Sequence, residues 1–110
     1  MARETGRSGY KVKLKAKLKK RFPGCIIQDQ DPNVLHQGIP DILVLWNGSW
    51  GMLETKAARG SAKQPNQGHW VEFYNQQSFA AFIYPANEEE VLNALEQSLT
   101  SCGVAFNPQP

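Results

Sequence analysis

Tyr10, Leu14, Leu18 and Phe22 recur at every fourth position, with basic residues between them. The same stretch also alternates as Lys-Val-Lys-Leu-Lys-Ala-Lys-Leu, a period of two that suits a strand. Lys, Leu and Ala are strong helix formers, and the four-residue ladder predicts a helix from Tyr10 to Phe22. Ser8 is available as its cap and Pro23-Gly24 as its stop. Cys25 to Gln28 reads as a short strand, and residues 29–37 as a polar loop. Two apolar runs follow, Asp41–Trp46 and Ser49–Lys56, separated by Asn47-Gly48. That dipeptide between apolar runs is the strongest short-range signal for a two-residue hairpin turn. Both faces of the hairpin are apolar: Leu43, Leu45, Trp50 and Met52 lie on one, and Ile42, Val44, Trp46 and Leu53 on the other. Strands apolar on both sides are covered on both sides, so helices are expected above and below the sheet.

After a polar loop over residues 57–64, Pro65 suits the first turn of a second helix. Gln67, Trp70, Val71 and Tyr74 then share one face, with Gln67 as its polar member. Residues 79–84 read as a buried strand. Asn87 with Glu90 forms a capping box for a last helix presenting Val91, Leu92, Leu95 and Leu99. Gly103 ends it, and residues 104–110 are a tail. The expected order is helix, strand, hairpin, helix, strand, helix, an α/β chain of one domain over residues 1–110, with residues 1–9 a loose basic arm.

The hairpin places chemistry at one end. With Asn47 and Gly48 at the turn, Trp46 pairs with Ser49 and Asp41 lies directly opposite Glu54. Directly opposed residues share a face, with Cβ atoms about 4.5–5.5 Å apart. Two carboxylates there repel each other, and a hard divalent cation bound by oxygen ligands is the compensation expected. Lys56, two residues beyond Glu54, projects from the same face.

Charge adds a second theme. Residues 1–24 hold nine basic residues and one acid, a net +8, whereas residues 25–110 hold three basic residues and nine acids, a net −6. A basic segment on an acidic domain suits a polyanion, with nucleic acid as the first candidate. A solubilising helix surface accounts for the charge equally well. No apolar run reaches membrane-span length, and the basic start is not followed by the apolar core of a signal peptide. The expected location is cytoplasmic. Cys25 and Cys102 have no partner spacing and read as reduced thiols, without a zinc site.

These residues resemble a known family. Pro40-Asp41 followed by Glu54-Thr55-Lys56 is similar to the signature of the PD-(D/E)XK nuclease superfamily. Gly38-Ile39-Pro40-Asp41, Glu54-Thr55-Lys56 and Gln67 with Trp70 at i+3 resemble its VRR-NUC branch, and the compact size resembles the stand-alone versions encoded by bacteriophages. The resemblance covers roughly residues 10–99. It implies a restriction-endonuclease-like αβα core of order α-β-β-β-α-β, here with a C-terminal helix added. It implies hydrolysis of a DNA phosphodiester with Mg²⁺ or Mn²⁺ held by Asp41, Glu54 and the Thr55 backbone carbonyl. Lys56 would orient or help activate the attacking water, and Gln67 would support the lysine or the water. Many relatives carry a further acid on the first helix; Glu4 is the candidate here, with Asp29 and Asp31 as alternatives. Branched DNA, as for a Holliday junction resolvase, is the substrate the resemblance favours. A C2 homodimer would then present two active sites. A phage-encoded protein would work in its bacterial host's cytoplasm.

Lys11, Lys13, Lys15, Lys17, Arg59 and Lys63 are the candidate DNA contacts, and binding through them falls steeply with salt. Gln67 has a plain alternative as a partner of loop backbone. His36 and His69 read as surface or interface residues, and the three tryptophans as core. A general or nicking nuclease, and a non-catalytic DNA-binding module, are the competing functions.

Overall fold

The structure, a computed structural model, describes residues 6–30, 38–57 and 67–101. Within them the chain runs α1 (Gly6–Arg21), β1 (Ile26–Asp29), β2 (Ile42–Trp46), β3 (Ser49–Thr55), α2 (Gln67–Gln77), β4 (Ala80–Ile83), a short 3-10 turn (Pro85–Asn87) and α3 (Glu88–Ser101). The strands form one sheet in the order β1-β2-β3-β4. The first two pairings are antiparallel, and β3–β4 is parallel because α2 carries the chain back across the sheet. The chain is therefore α/β with a mixed sheet.

The hairpin register follows from its turn. Asn47 and Gly48 have φ of 57° and 72°, the positive values that let a two-residue turn match the strand twist. Trp46 pairs with Ser49 and Ile42 with Leu53. Asp41 and Glu54 come next in this register, at the end of the sheet away from the turn.

Apolar side chains on both faces of β2 and β3 recruit helices to both sides. Leu14, Leu18 and Phe22 of the α1 segment, with Val91, Leu92, Leu95 and Leu99 of α3, bury against Ile42, Val44, Leu53 and Ile83. On the other face Met52 and Ala80 meet Val71 of α2, flanked by Leu43, Trp50, Tyr74 and Phe82. Gly51 lies directly against Leu95 of α3. A Cβ at that position would lie 2.6 Å from Leu95 Cδ1.

Three local expectations change. α1 begins at Gly6 rather than Tyr10, so Ser8 is inside the helix and the expected loose arm is helical in part. The first N–H groups of any helix lack intrahelical partners, so glycine is tolerated there better than in mid-helix. Asp29 belongs to β1 and not to the loop after it, because it pairs with Ile42 and Gln30 N donates to Asp41 O at 2.9 Å. Asn87 does not form a box with Glu90. Its Oδ1 accepts from Tyr84 N at 2.8 Å and its Nδ2 donates to Phe82 O at 3.1 Å, closing the turn that follows β4. Pro65, Cys102, Gly103 and residues 104–110 lie outside the described residues. Among the described residues no helix is long and apolar enough to cross a membrane.

Candidate active site

Gly38, with φ of 87°, turns the chain into the buried pair Ile39-Pro40, which delivers Asp41 to the end of β2. Asp41, Glu54, Lys56 and Gln67 are 4, 1, 7 and 6% exposed. Charges buried this far are tolerated only with partners, and here the partners form a chain. Thr55 donates to Asp41 twice, from its N–H to Oδ1 at 3.1 Å and from its hydroxyl to Oδ2 at 2.7 Å. Asp41 N donates to Glu54 Oε1 at 3.1 Å. Gln67 Nε2 donates to Glu54 Oε2 at 2.7 Å, and Gln67 Oε1 accepts from Lys56 Nζ at 2.5 Å. The Lys56 ammonium also lies 3.9 Å from Glu54 Oε2 and 5.8 Å from the centre of the Phe82 ring.

The elements explain this convergence. Asp41 and Glu54 are opposed by the hairpin register, and Lys56 follows two residues on. Phe82 pairs with Glu54 from β4 and so presents its ring to the same face. Gln67 opens α2, and buried Val71 one turn later fixes that face of the helix against the sheet. A polar residue on an apolar stripe was the signal for Gln67, and its side chain bonds to side chains of the site.

The first helix adds a cation. Lys11 Nζ lies 3.7 Å from Asp41 Oδ2 and 3.1 Å from Asp29 Oδ1, while Lys15 Nζ lies 2.6 Å from Asp29 Oδ2. The hydrogen bond from Lys15, supported by Lys11, holds the Asp29 carboxyl below its ordinary range against the opposing effect of burial. Sequence patterning did not find this network. Lys11 and Lys15 are one turn apart on a helix that also carries lysines elsewhere, and nothing local says which of them turn toward an acid.

The opposed carboxylates therefore carry compensation of their own. Two ammonium groups flank them, and Thr55 and Gln67 bind their oxygens, so charge repulsion alone does not demand a metal ion. The donor set nonetheless fits Mg²⁺ or Mn²⁺. Two carboxylates and the neighbouring backbone carbonyl are hard oxygen donors, the kind these ions take. Mg²⁺ is held by one or two carboxylates with water and phosphate filling the remainder. Among the described residues no group of three or more His, Cys, Asp or Glu is gathered. Glu4, Asp31, His36, Arg59 and Lys63 lie outside the described residues.

The remaining basic residues of α1 divide by direction. Lys17 pairs with Glu88 at 2.8 Å. Arg21 pairs with Glu96 at 2.9 Å and reaches Asn93. Lys13 is exposed and makes no ion pair among the described residues. Tyr10 donates to Glu88 Oε1 at 3.0 Å. Burial, then that bond and the nearby carboxylate charge, push the Tyr10 phenol well above its ordinary range. Cys25 is half-buried, and burial raises its thiol. His69 is exposed on α2, stacked on Phe73 with ring centres 6.5 Å apart. The tryptophans are half-buried rather than core: Trp46 donates to Pro23 O at 3.0 Å, and Trp50 and Trp70 join Tyr74 on the α2 side.

The chain matches no family model, no curated protein and no solved structure.

Proposed function

We propose that the chain is a metal-dependent DNA endonuclease. The observation that carries this is the hydrogen-bonded chain Thr55–Asp41–Glu54–Gln67–Lys56. It unites two opposed acids, a lysine and a helix-borne amide at one end of a covered sheet. The element order α-β-β-β-α-β with a C-terminal helix supports a restriction-endonuclease-like core. With Pro40-Asp41 and Glu54-Thr55-Lys56 it supports the likeness to the VRR-NUC branch of PD-(D/E)XK nucleases.

Asp41, Glu54 and the Thr55 carbonyl are the proposed ligands of Mg²⁺ or Mn²⁺, with Glu4 as the further acid. Bound there, the ion supplies polarisation of a phosphoryl oxygen and a water of lowered pKa. The protein groups have separate tasks. Thr55 holds Asp41 at both oxygens and so fixes the plane of that carboxylate. Gln67 binds Glu54 through one end of its amide and Lys56 through the other, so neither turns independently. Lys56 keeps a positive charge beside Glu54, where it offsets phosphate charge and orients the attacking water; fixed charges in a water-poor site act strongly on developing charge. Lys11, Lys13, Lys15, Lys17, Arg59 and Lys63 are the proposed contacts to the DNA backbone, and of these Lys11, Lys15 and Lys17 would exchange Asp29, Asp41 or Glu88 for phosphate.

Branched DNA is the proposed substrate class, cut by a C2 dimer with one site per arm pair; a general or nicking nuclease of single- or double-stranded DNA is the alternative. A non-catalytic DNA-binding module is the second reading. One observation favours it: the acids already have lysine and hydrogen-bond partners. Incubation with a four-way junction, a linear duplex and a single strand, in Mg²⁺, Mn²⁺ or chelator, separates these. Junction cutting that needs metal is expected. Equal cutting of duplex and junction removes the junction assignment, and binding without cutting in either metal leaves the binding module.

A further inference from the structure

We infer that Lys11 is a resident cation of the Asp41 carboxylate, shared with Asp29, and that it competes with a divalent ion for the site. The inference rests on the metal-site proposal above. Lys11 and Lys15 are one helical turn apart on α1, and both reach Asp29. Only Lys11 continues to Asp41, where its ammonium faces the same Oδ2 that accepts from the Thr55 hydroxyl. Its side chain is 25% exposed and that of Asp41 only 5%, so the pair is shielded from solvent more than a surface ion pair is.

The electrostatic consequence has a definite sign. A divalent ion at Asp41 must share that carboxylate with Lys11 and also feels its repulsion, and both effects weaken binding. Asp29 acts the other way. It holds the ammonium at 3.1 Å, closer than Asp41 does at 3.7 Å, and so keeps part of the Lys11 charge off the site. Removing Lys11 should therefore tighten metal binding, and neutralising Asp29 should weaken it. A charge at this separation, in surroundings between water and protein interior, is expected to change the binding constant on the order of tenfold. If Lys11 merely pins α1 to the sheet, its loss lowers stability and leaves metal affinity where it was.

The test is calorimetric titration of the full chain with Mn²⁺ alone. The proteins are wild type, Lys11→Met, Lys11→Arg, Asp29→Asn and, as a control on the exposed part of α1, Lys20→Met. Lys11→Met is expected to bind about tenfold more tightly, Lys11→Arg and Lys20→Met like wild type, and Asp29→Asn several-fold more weakly. Wild-type binding with no tightening in Lys11→Met overturns the inference and leaves the metal site standing. Absence of Mn²⁺ binding in both wild type and Lys11→Met removes the metal site, and the inference with it. If Lys11→Met does not fold, Asp29→Asn decides: equal or tighter binding than wild type overturns the inference.

Discussion

The backbone N–H of Asp41 donates to Oε1 of Glu54 at 3.1 Å. The two opposed acids are thus tied by main chain as well as by register, and Glu54 holds the entry of β2 in place. Its carboxylate is 1% exposed and accepts from Gln67 at its other oxygen. Truncation leaves buried donors unpaired, a cost of about 1–3 kcal/mol each for groups of this kind. With two donors orphaned, Glu54→Ala is expected to lose about 2–6 kcal/mol in urea-induced unfolding. Glu54→Gln should lose less, because it keeps an oxygen for Asp41 N and meets Gln67 with one mismatched amide.

In the proposed nuclease, Gln67 would act through Glu54 and Lys56 rather than by touching the phosphate. It joins Glu54 at 2.7 Å to Lys56 at 2.5 Å through one planar amide. Groups that orient ligands from behind typically cost about 10–100-fold when removed. Gln67→Ala is expected to lower single-turnover cleavage by that factor while leaving DNA affinity near wild type. An unchanged rate would return Gln67 to a purely structural role.

Gly51 and Leu95 test the packing of α3. An alanine methyl at residue 51 would sit 2.6 Å from Leu95 Cδ1, in a region where Leu95 is fully buried. Overpacking of this kind costs about 1–3 kcal/mol. Leu95→Ala alone costs about 2–5 kcal/mol through the cavity it leaves. The double variant should be more stable than the sum of the two losses predicts, as measured by denaturant midpoints.

Tyr10 predicts an alkaline weakness. Its phenol is raised in the folded chain from an ordinary value of 10.0, by burial first and by Glu88 second. The folded state holds this proton more tightly than the unfolded state. The stabilisation is therefore complete below the unfolded value and is lost as pH rises above it toward the folded value. Wild-type stability should fall more steeply than that of Tyr10→Phe as the pH rises above about 10, and the two should run parallel below it. Parallel slopes would contradict the burial of the phenol.

Much of this arrangement was legible in the residues. Asn47-Gly48 set the turn, and counting outward from it placed Asp41 against Glu54. Apolar residues on both faces of the hairpin called for helices on both sides. Gln67 stood out as polar on an apolar stripe. What stayed hidden depends on tertiary distance. Lys11 differs from its neighbouring lysines only in the direction α1 gives it once Leu14, Leu18 and Phe22 are buried. Asp29 joined β1 because β2 paired with it, overriding the loop preference of its own segment. The Asn87 box failed for a similar reason, since the turn after β4 claimed the side chain first.

The proposed function requires Asp41 and Glu54 to form a metal-dependent phosphodiesterase centre. The most direct measurement is cleavage of a labelled four-way DNA junction in Mn²⁺ by wild type and by Asp41→Asn, with chelator controls and junction binding followed in parallel. Wild type should cut only with metal, and Asp41→Asn should bind the junction without cutting it. Cutting by Asp41→Asn at the wild-type rate, or wild-type cutting that survives chelator, would contradict a metal centre at Asp41 and Glu54.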